Sequence, residues 1–252
     1  MTIVNHRNIS ATFLALTLVS LLAASSFAAC PDFFAGGKPP IITNKKMIPK
    51  YTELCNSGYA VGHSGLTRTP LWGAENLTAA NLIAGEGIAR HDNFRADTRL
   101  SPGDRSELKD YSRTGYDRGH IVNNRDMTPD KRDETFLLSN IVPQNSESNR
   151  GIWASIEAAT RHEVKKKGQL YIITGVLFHG ERLQSLKGKV MIPTALYKCL
   201  YDTVRQQAGC YVVANEPGAG YRIATVAEVE LEAGLNLFPS MPAGTKVVNY
   251  HH

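Results

Sequence analysis

Two short stretches gather side chains that could do chemistry. The first is Tyr116-Asp117-Arg118-Gly119-His120-Ile121-Val122, where an acid, a base, a glycine and an imidazole precede an apolar pair. An imidazole titrating near 6.5 can take a proton from water close to neutrality. The second stretch begins at Asn149, because Asn149, Trp153, Glu157 and Arg161 recur every four residues. On a helix each such step drifts only about 40°, so the four would lie along one side. That side shows an amide, an indole, a carboxylate and a guanidinium, while Ile152, Ile156 and Val164 supply the aliphatic face a core needs. Amide and carboxylate oxygens suit a hard divalent cation. The plain alternative is a solvated face with one Glu–Arg pair.

Together the two stretches resemble the sugar-non-specific DNA/RNA endonucleases, the DRGH branch of the His-Me finger (ββα-metal) nucleases. "GYDRGH" and "FLLSNIVPQNSESNRGIWASIE" carry the resemblance, supported upstream by "RTPLW" and "RHDNFRAD" and downstream by "IITGVLF" and "VMIPTALYK". It extends from about Gly58 to Phe238. It implies an α+β fold with a central, mainly antiparallel sheet flanked by helices and a ββα-metal catalytic core. His120 matches the general base, and Asn149 the one direct protein ligand of the metal. Glu157 matches the residue that holds the metal's waters. Arg118 matches a cation beside the scissile phosphate. A further arginine is expected upstream; a gapless alignment places Asp92 there, Arg90 is favoured, and Arg95 competes. Gln144, Trp153 and Arg161 match substrate-side positions, with Asn140 also near the site. Asp117 is expected to orient its neighbours, and Gly119 to let the backbone bend or a phosphate come close. Asn123 and Asn124 read as turn residues. The implied cofactor is Mg²⁺, with Mn²⁺ as the alternative, and the implied substrates are DNA and RNA cut to leave 5′-phosphate ends.

Two rival readings stay open at this level. One is an exported nucleic-acid-binding protein without catalysis, which would not need His120, Asn149 and Glu157 together. The other is a metal phosphodiesterase acting on a non-nucleic substrate. His63, His91, His162 and His179 match no role. "GHSG" lacks the Gly-x-Ser-x-Gly spacing of a hydrolase elbow.

The elements around these residues follow from ordinary signals. Of the 252 residues, the first 28 read as a signal peptide: a mildly basic start, an apolar run from Ala11 to Ala24, and Ser26-Phe27-Ala28 at the cleavage offsets. Its removal takes away Arg7 and no acid, moving the net charge from +5 to +4. That is compatible with a polyanionic partner without requiring one. No other segment is long enough to span a membrane, and the destination is periplasmic or secreted. Export makes disulfides the expected state of Cys30, Cys55, Cys199 and Cys210. Cys199 and Cys210 flank a candidate hairpin tip, which leaves Cys30 for Cys55; lipidation of Cys30 is the rival. Residues 29–57 read as an extended entry segment and 58–252 as the nuclease domain, with the oligomeric state open and a homodimer compatible. A helix is expected from about Ile152 to Lys167, closed by Gly168, with Lys165, Lys166 and Lys167 as a solvated end. "QLYIITGVLF", "VMIPTALYKCLYD" and "GCYVVANE" read as strands, and Thr225 and Glu228 stand in capping-box spacing before a terminal helix.

Overall fold

The computed structural model describes Met1 and residues 30–250, so the expected signal segment lies outside the described residues. β-branched and aromatic runs form an eight-stranded, mainly antiparallel sheet. Its first strands are β1 (Tyr51–Cys55), β2 (Ala60–Ser64) and β3 (Thr69–Thr78). A short helix α1 (Ala79–Ala84) follows, its first turn capped by the Thr78 hydroxyl accepting from the Asn81 amide. β4 (Tyr116–His120) and β5 (Ile141–Asn145) make a separate two-stranded ribbon. Helix α2 (Ala154–Lys167) comes next, then β6 (Gln169–Leu177), β7 (Ala195–Asp202), β8 (Gln207–Ala214) and β9 (Tyr221–Ala224). Helix α3 (Val226–Ala233) and β10 (Lys246–Val247) complete the frame. The order across the sheet is β9-β8-β7-β6-β3-β2-β1, and β10 joins β8 in parallel.

Alternation along the strands gives the sheet two faces. One carries Ile173, Leu177, Tyr197, Cys199 and Val212 beneath Val226 and Val229 of α3. The other carries Leu170, Ile172, Leu196 and Leu200 beneath Trp153, Ile156 and Val164. Both disulfides are present, Cys30–Cys55 and Cys199–Cys210. The second joins directly opposed residues of β7 and β8. The first ties the entry segment to β1, so that segment is not merely extended: its Tyr51–Cys55 stretch is an edge strand of the main sheet. The terminal helix has the expected reciprocal cap between Thr225 and Glu228 and ends at Gly234 in the left-handed conformation. Among the described residues, no helix is long and apolar enough to cross a membrane.

Candidate active site

The ribbon sets the position of His120. Gly119 sits opposite Val142 in the β4–β5 pairing, and His120 opposite Ile141. A Cβ at Gly119 would stand 2.2 Å from Gln144 Oε1, so Gly119 makes room for the Gln144 side chain and not for backbone bending. The apolar pair after the histidine anchors the turn. Ile121 and Val122 press on Gly73 of β3, where a Cβ would stand 2.8 Å from a methyl carbon of each. Asn140 clamps the same turn, accepting from the Val122 amide at 2.9 Å and donating to the Val122 and Thr135 carbonyls.

The His120 ring packs against two phenylalanines. Phe94 lies 5.4 Å away and Phe136 5.2 Å away, centroid to centroid. Each of those rings carries an arginine: Arg118 lies 4.1 Å over Phe94, and Arg90 lies 5.5 Å over Phe136. Burial, and then the charges of Arg90 and Arg118 against the opposing Asp92, push the His120 pKa down to about 3. The imidazole is therefore neutral near pH 7, and in these surroundings it is a weaker base than a free imidazole. Its Nε2 has no hydrogen-bond partner among the described residues.

Arg90 and Arg95 lie in different surroundings. Arg95 is tied to Asp133, with Nη2 to Oδ2 at 2.7 Å, and donates to the Asn93 and Asp133 carbonyls. Arg90 pairs with Asp92 at 2.5 Å and faces the His120 side through Phe136. Arg118 has no ion pair among the described residues and is exposed.

Asn149 and Glu157 are each held by one polar atom, which leaves an oxygen free. Asn149 Nδ2 donates to Asp117 Oδ2 at 2.9 Å, so its Oδ1 is turned away from that contact. Burial would raise the Asp117 carboxyl, but hydrogen bonds from Arg150, Asn149 and Ser146 outweigh it and hold the group below the ordinary carboxylate range. Asn123 Nδ2 donates to Glu157 Oε2 at 2.5 Å, while its own Oδ1 caps the Arg125 amide. Asn123 is thus a turn residue with a second task. Burial raises the Glu157 pKa, against the pull of Lys198 and the Asn123 hydrogen bond.

The helical stripe expected from the sequence is broken. Ser146–Ser148 starts the helix, Asn149–Trp153 winds as a π-helical turn, and only then does α2 begin. The wider turn re-aims the residues on either side of it. Trp153 is 1% exposed and belongs to the core under α2, and Gln144 is 0% exposed behind Gly119, so neither is open to a substrate. Arg161 does not pair with Glu157; it reaches the buried Asp126 at 3.1 Å. The lysines at the helix end are likewise partnered, Lys165 with Glu86, Lys166 with Glu163 and Lys167 with Asp202.

Beneath Glu157 lies a group of polar residues that no local motif marks. Glu75 pairs in register with Ile172, and Thr174 with Lys198, which puts Glu75, Thr174 and Lys198 on the α2 face of the sheet. Lys198 is 0% exposed and donates to Thr174 Oγ1 at 2.7 Å. Burial, and then the Asp126 charge, drive the Glu75 carboxyl well above its ordinary pKa despite Lys198. Burial thus favours the neutral form of Glu75, and the same Lys198 charge also lowers the Glu157 pKa.

These donors fit a divalent cation: one neutral amide oxygen, and one carboxylate oxygen set back where water can intervene. Among the described residues no three His, Cys, Asp or Glu side chains converge as a metal group, and this donor set does not need one. A two-stranded ribbon carrying His120, followed by a π-helical turn with Asn149 and a helix with Glu157, gives a ββα arrangement on an α+β frame. The model of the DNA/RNA non-specific endonuclease family matches residues 39–244, and the chain belongs to that family. A nuclease of Nostoc sp. is 34% identical over 187 residues, covering 73% of this chain and 62% of its own length. Nuclease C1 of Cunninghamella echinulata is 31% identical, covering 74% and 82% respectively. A solved structure of the EndoG/EndoGI complex superposes with a TM-score of 0.68 at 26% identity, over 77% of this chain and 89% of that one.

Proposed function

We propose that the protein is an exported, metal-dependent nuclease that hydrolyses phosphodiester bonds of DNA and RNA with little sequence preference, leaving 5′-phosphate and 3′-hydroxyl ends. One observation carries this reading. The His120 imidazole packs with two aromatic rings that each carry an arginine, and in the same ribbon-and-helix unit an amide and a carboxylate are each anchored through a single atom, Asn149 on Asp117 and Glu157 on Asn123. A binding protein has no use for a buried imidazole kept unprotonated at a phosphate site, where a cation would serve better.

His120 takes a proton from water as the water oxygen bonds to phosphorus. The bond from phosphorus to the 3′ oxygen breaks, and that oxygen takes up a proton from solvent. Arg118 and Arg90, leaning on Phe94 and Phe136, offset charge growing on the phosphoryl oxygens. Asn149 Oδ1, and through water Glu157, would hold a divalent cation, Mg²⁺ or Mn²⁺, which would supply further positive charge at the phosphate. Asp117 fixes the Asn149 amide, and Asn123 fixes the Glu157 carboxylate. Export is supported by the two disulfides, which persist in oxidising compartments.

Supercoiled plasmid incubated with and without EDTA tests the reading. Nicking that EDTA abolishes is expected. Plasmid retardation without nicking would favour the binding reading, and EDTA-sensitive hydrolysis of a small diester without nicking would favour a non-nucleic substrate.

A further inference from the structure

A cavity of about 650 Å³ opens along α2, beginning one residue past Glu157. Arg125, Arg132, Arg161, His162 and Lys165 contribute to its wall, and Glu86 is the one acid among the lining residues. Glu86 is already paired with Lys165, and Arg161 with Asp126, which is 2% exposed behind it. Arg125 is exposed, and its side chain has no hydrogen bond or ion pair among the described residues. Arg132 is 8% exposed and has no carboxylate partner; its guanidinium donates to the backbone carbonyls of Met127, Ile88 and Gly85. Burial, and then the neighbouring Arg125 charge, lower the Arg132 pKa, and neither guanidinium has a carboxylate partner among the described residues. Uncompensated like charges around a concave wall raise the local concentration of anions.

The position of the cavity narrows the choice of anion. Gly85 and Ile88, pinned by Arg132, line the wall together with Ala89, the residue before Arg90, whose guanidinium lies over the Phe136 ring that packs on His120. The wall follows α2 from Ala158 to Lys165, about 11 Å at 1.5 Å per residue. At about 3.4 Å of rise per nucleotide on one strand, that is room for about three nucleotides.

We infer that this cavity is a backbone-phosphate track for the nucleic-acid strand flanking the cleaved bond, with Arg125 and Lys165 contacting phosphates that the chemical centre never touches. The inference rests on the nuclease reading above for the identity of the strand. Phosphate contacts of this kind set register and affinity without reading sequence, and each contributes about one unit to the dependence of log Kd on log salt.

The test measures binding of a long duplex in EDTA by fluorescence anisotropy across a salt series. The proteins are the wild type, Arg125→Ala, the Arg125→Ala/Lys165→Ala double variant, and Lys166→Ala. Lys166 lies on the same helix end, outside the cavity wall, and serves as the charge-matched control. The double variant should bind on the order of 10-fold more weakly at moderate salt and lose about two units of salt slope; Arg125→Ala should lose about one. Lys166→Ala should match the wild type. Equal slopes for the double variant and Lys166→Ala would overturn the track. Cleavage of a small chromogenic diester, too short to reach the cavity, is followed in parallel with Mg²⁺. A double variant that loses this activity as steeply as duplex binding would place its effect at the chemical centre and also overturn the track. Wild-type protein that binds the duplex with the expected slopes yet cleaves neither substrate would refute the nuclease reading while leaving the phosphate track standing.

Discussion

On the α3 side of the sheet, aliphatic, aromatic and half-cystine side chains meet Val226 and Val229. On the α2 side, Leu170, Ile172, Leu196 and Leu200 share the surface with Glu75, Thr174 and Lys198. Burying ionisable groups costs stability unless they find partners; here burial pushes the Glu75 carboxyl up, and among the described residues Lys198 has Thr174 as its one hydrogen-bond partner. The polar intrusion lies where Glu157, Asp126 and Arg161 approach the sheet from above. The difference between the faces teaches how the fold divides its tasks: one face supplies stability, and the other gives up some of it to set the charge and aim of the groups at the site.

The largest effect that could break this division is expected at His120. His120→Ala should lower turnover toward the upper end of the roughly 10²–10⁴-fold range for loss of a general base. It should leave the circular dichroism spectrum and duplex binding unchanged. Turnover within a few-fold of wild type would remove His120 from the chemistry.

The apolar face should show the opposite pattern. Leu237 is 0% exposed in the α3-side core, so Leu237→Ala should cost about 2–5 kcal/mol of unfolding free energy. Its kcat below the melting transition should stay at the wild-type value. A matching fall in kcat would mean that the two faces are not independent.

A smaller and more selective change is expected at Lys198. Its charge lowers the Glu157 pKa against the effect of burial. Lys198→Met, similar in length and without charge, should therefore let the Glu157 pKa rise. Because Glu157 acts as a carboxylate, activity should be lost earlier as pH falls, and the acid limb of the rate profile should move to higher pH. Unfolding free energy should hold or increase, since a buried cation is removed. An unmoved acid limb would detach Lys198 from the site.

How much of this could be read in the sequence depends on the distance over which each feature is encoded. His120 and Arg118 sit in one short motif, with Asn149 and Glu157 at fixed offsets after it, so the resemblance to the DRGH nucleases could mark all four. The orienting task expected of Asp117 is its hydrogen bond to Asn149, and the expected disulfides formed. Trp153 and Gln144, expected on the substrate side, are both buried. A uniform four-residue drift cannot anticipate a π-helical turn at Asn149–Trp153, and nothing near Gly119 announces that Gln144 fills the space above it. Glu75 and Lys198 were invisible because strands far apart in the chain bring them to one face. The bond from Asn123 to Glu157 likewise spans 34 residues between a turn and a helix.

The central claim is that Asn149 and Glu157 serve one cation in different ranks, Asn149 by its own oxygen and Glu157 through water. A Mg²⁺ titration of cleavage rate for Asn149→Ala and Glu157→Ala tests it most directly. Glu157→Ala should lose about 10–100-fold and recover substantially as Mg²⁺ is raised, because only the ordering of water is lost. Asn149→Ala should be the more damaged enzyme and should recover far less. If Glu157→Ala proves the less active and the less rescuable of the two, the ranks assigned to these residues are contradicted.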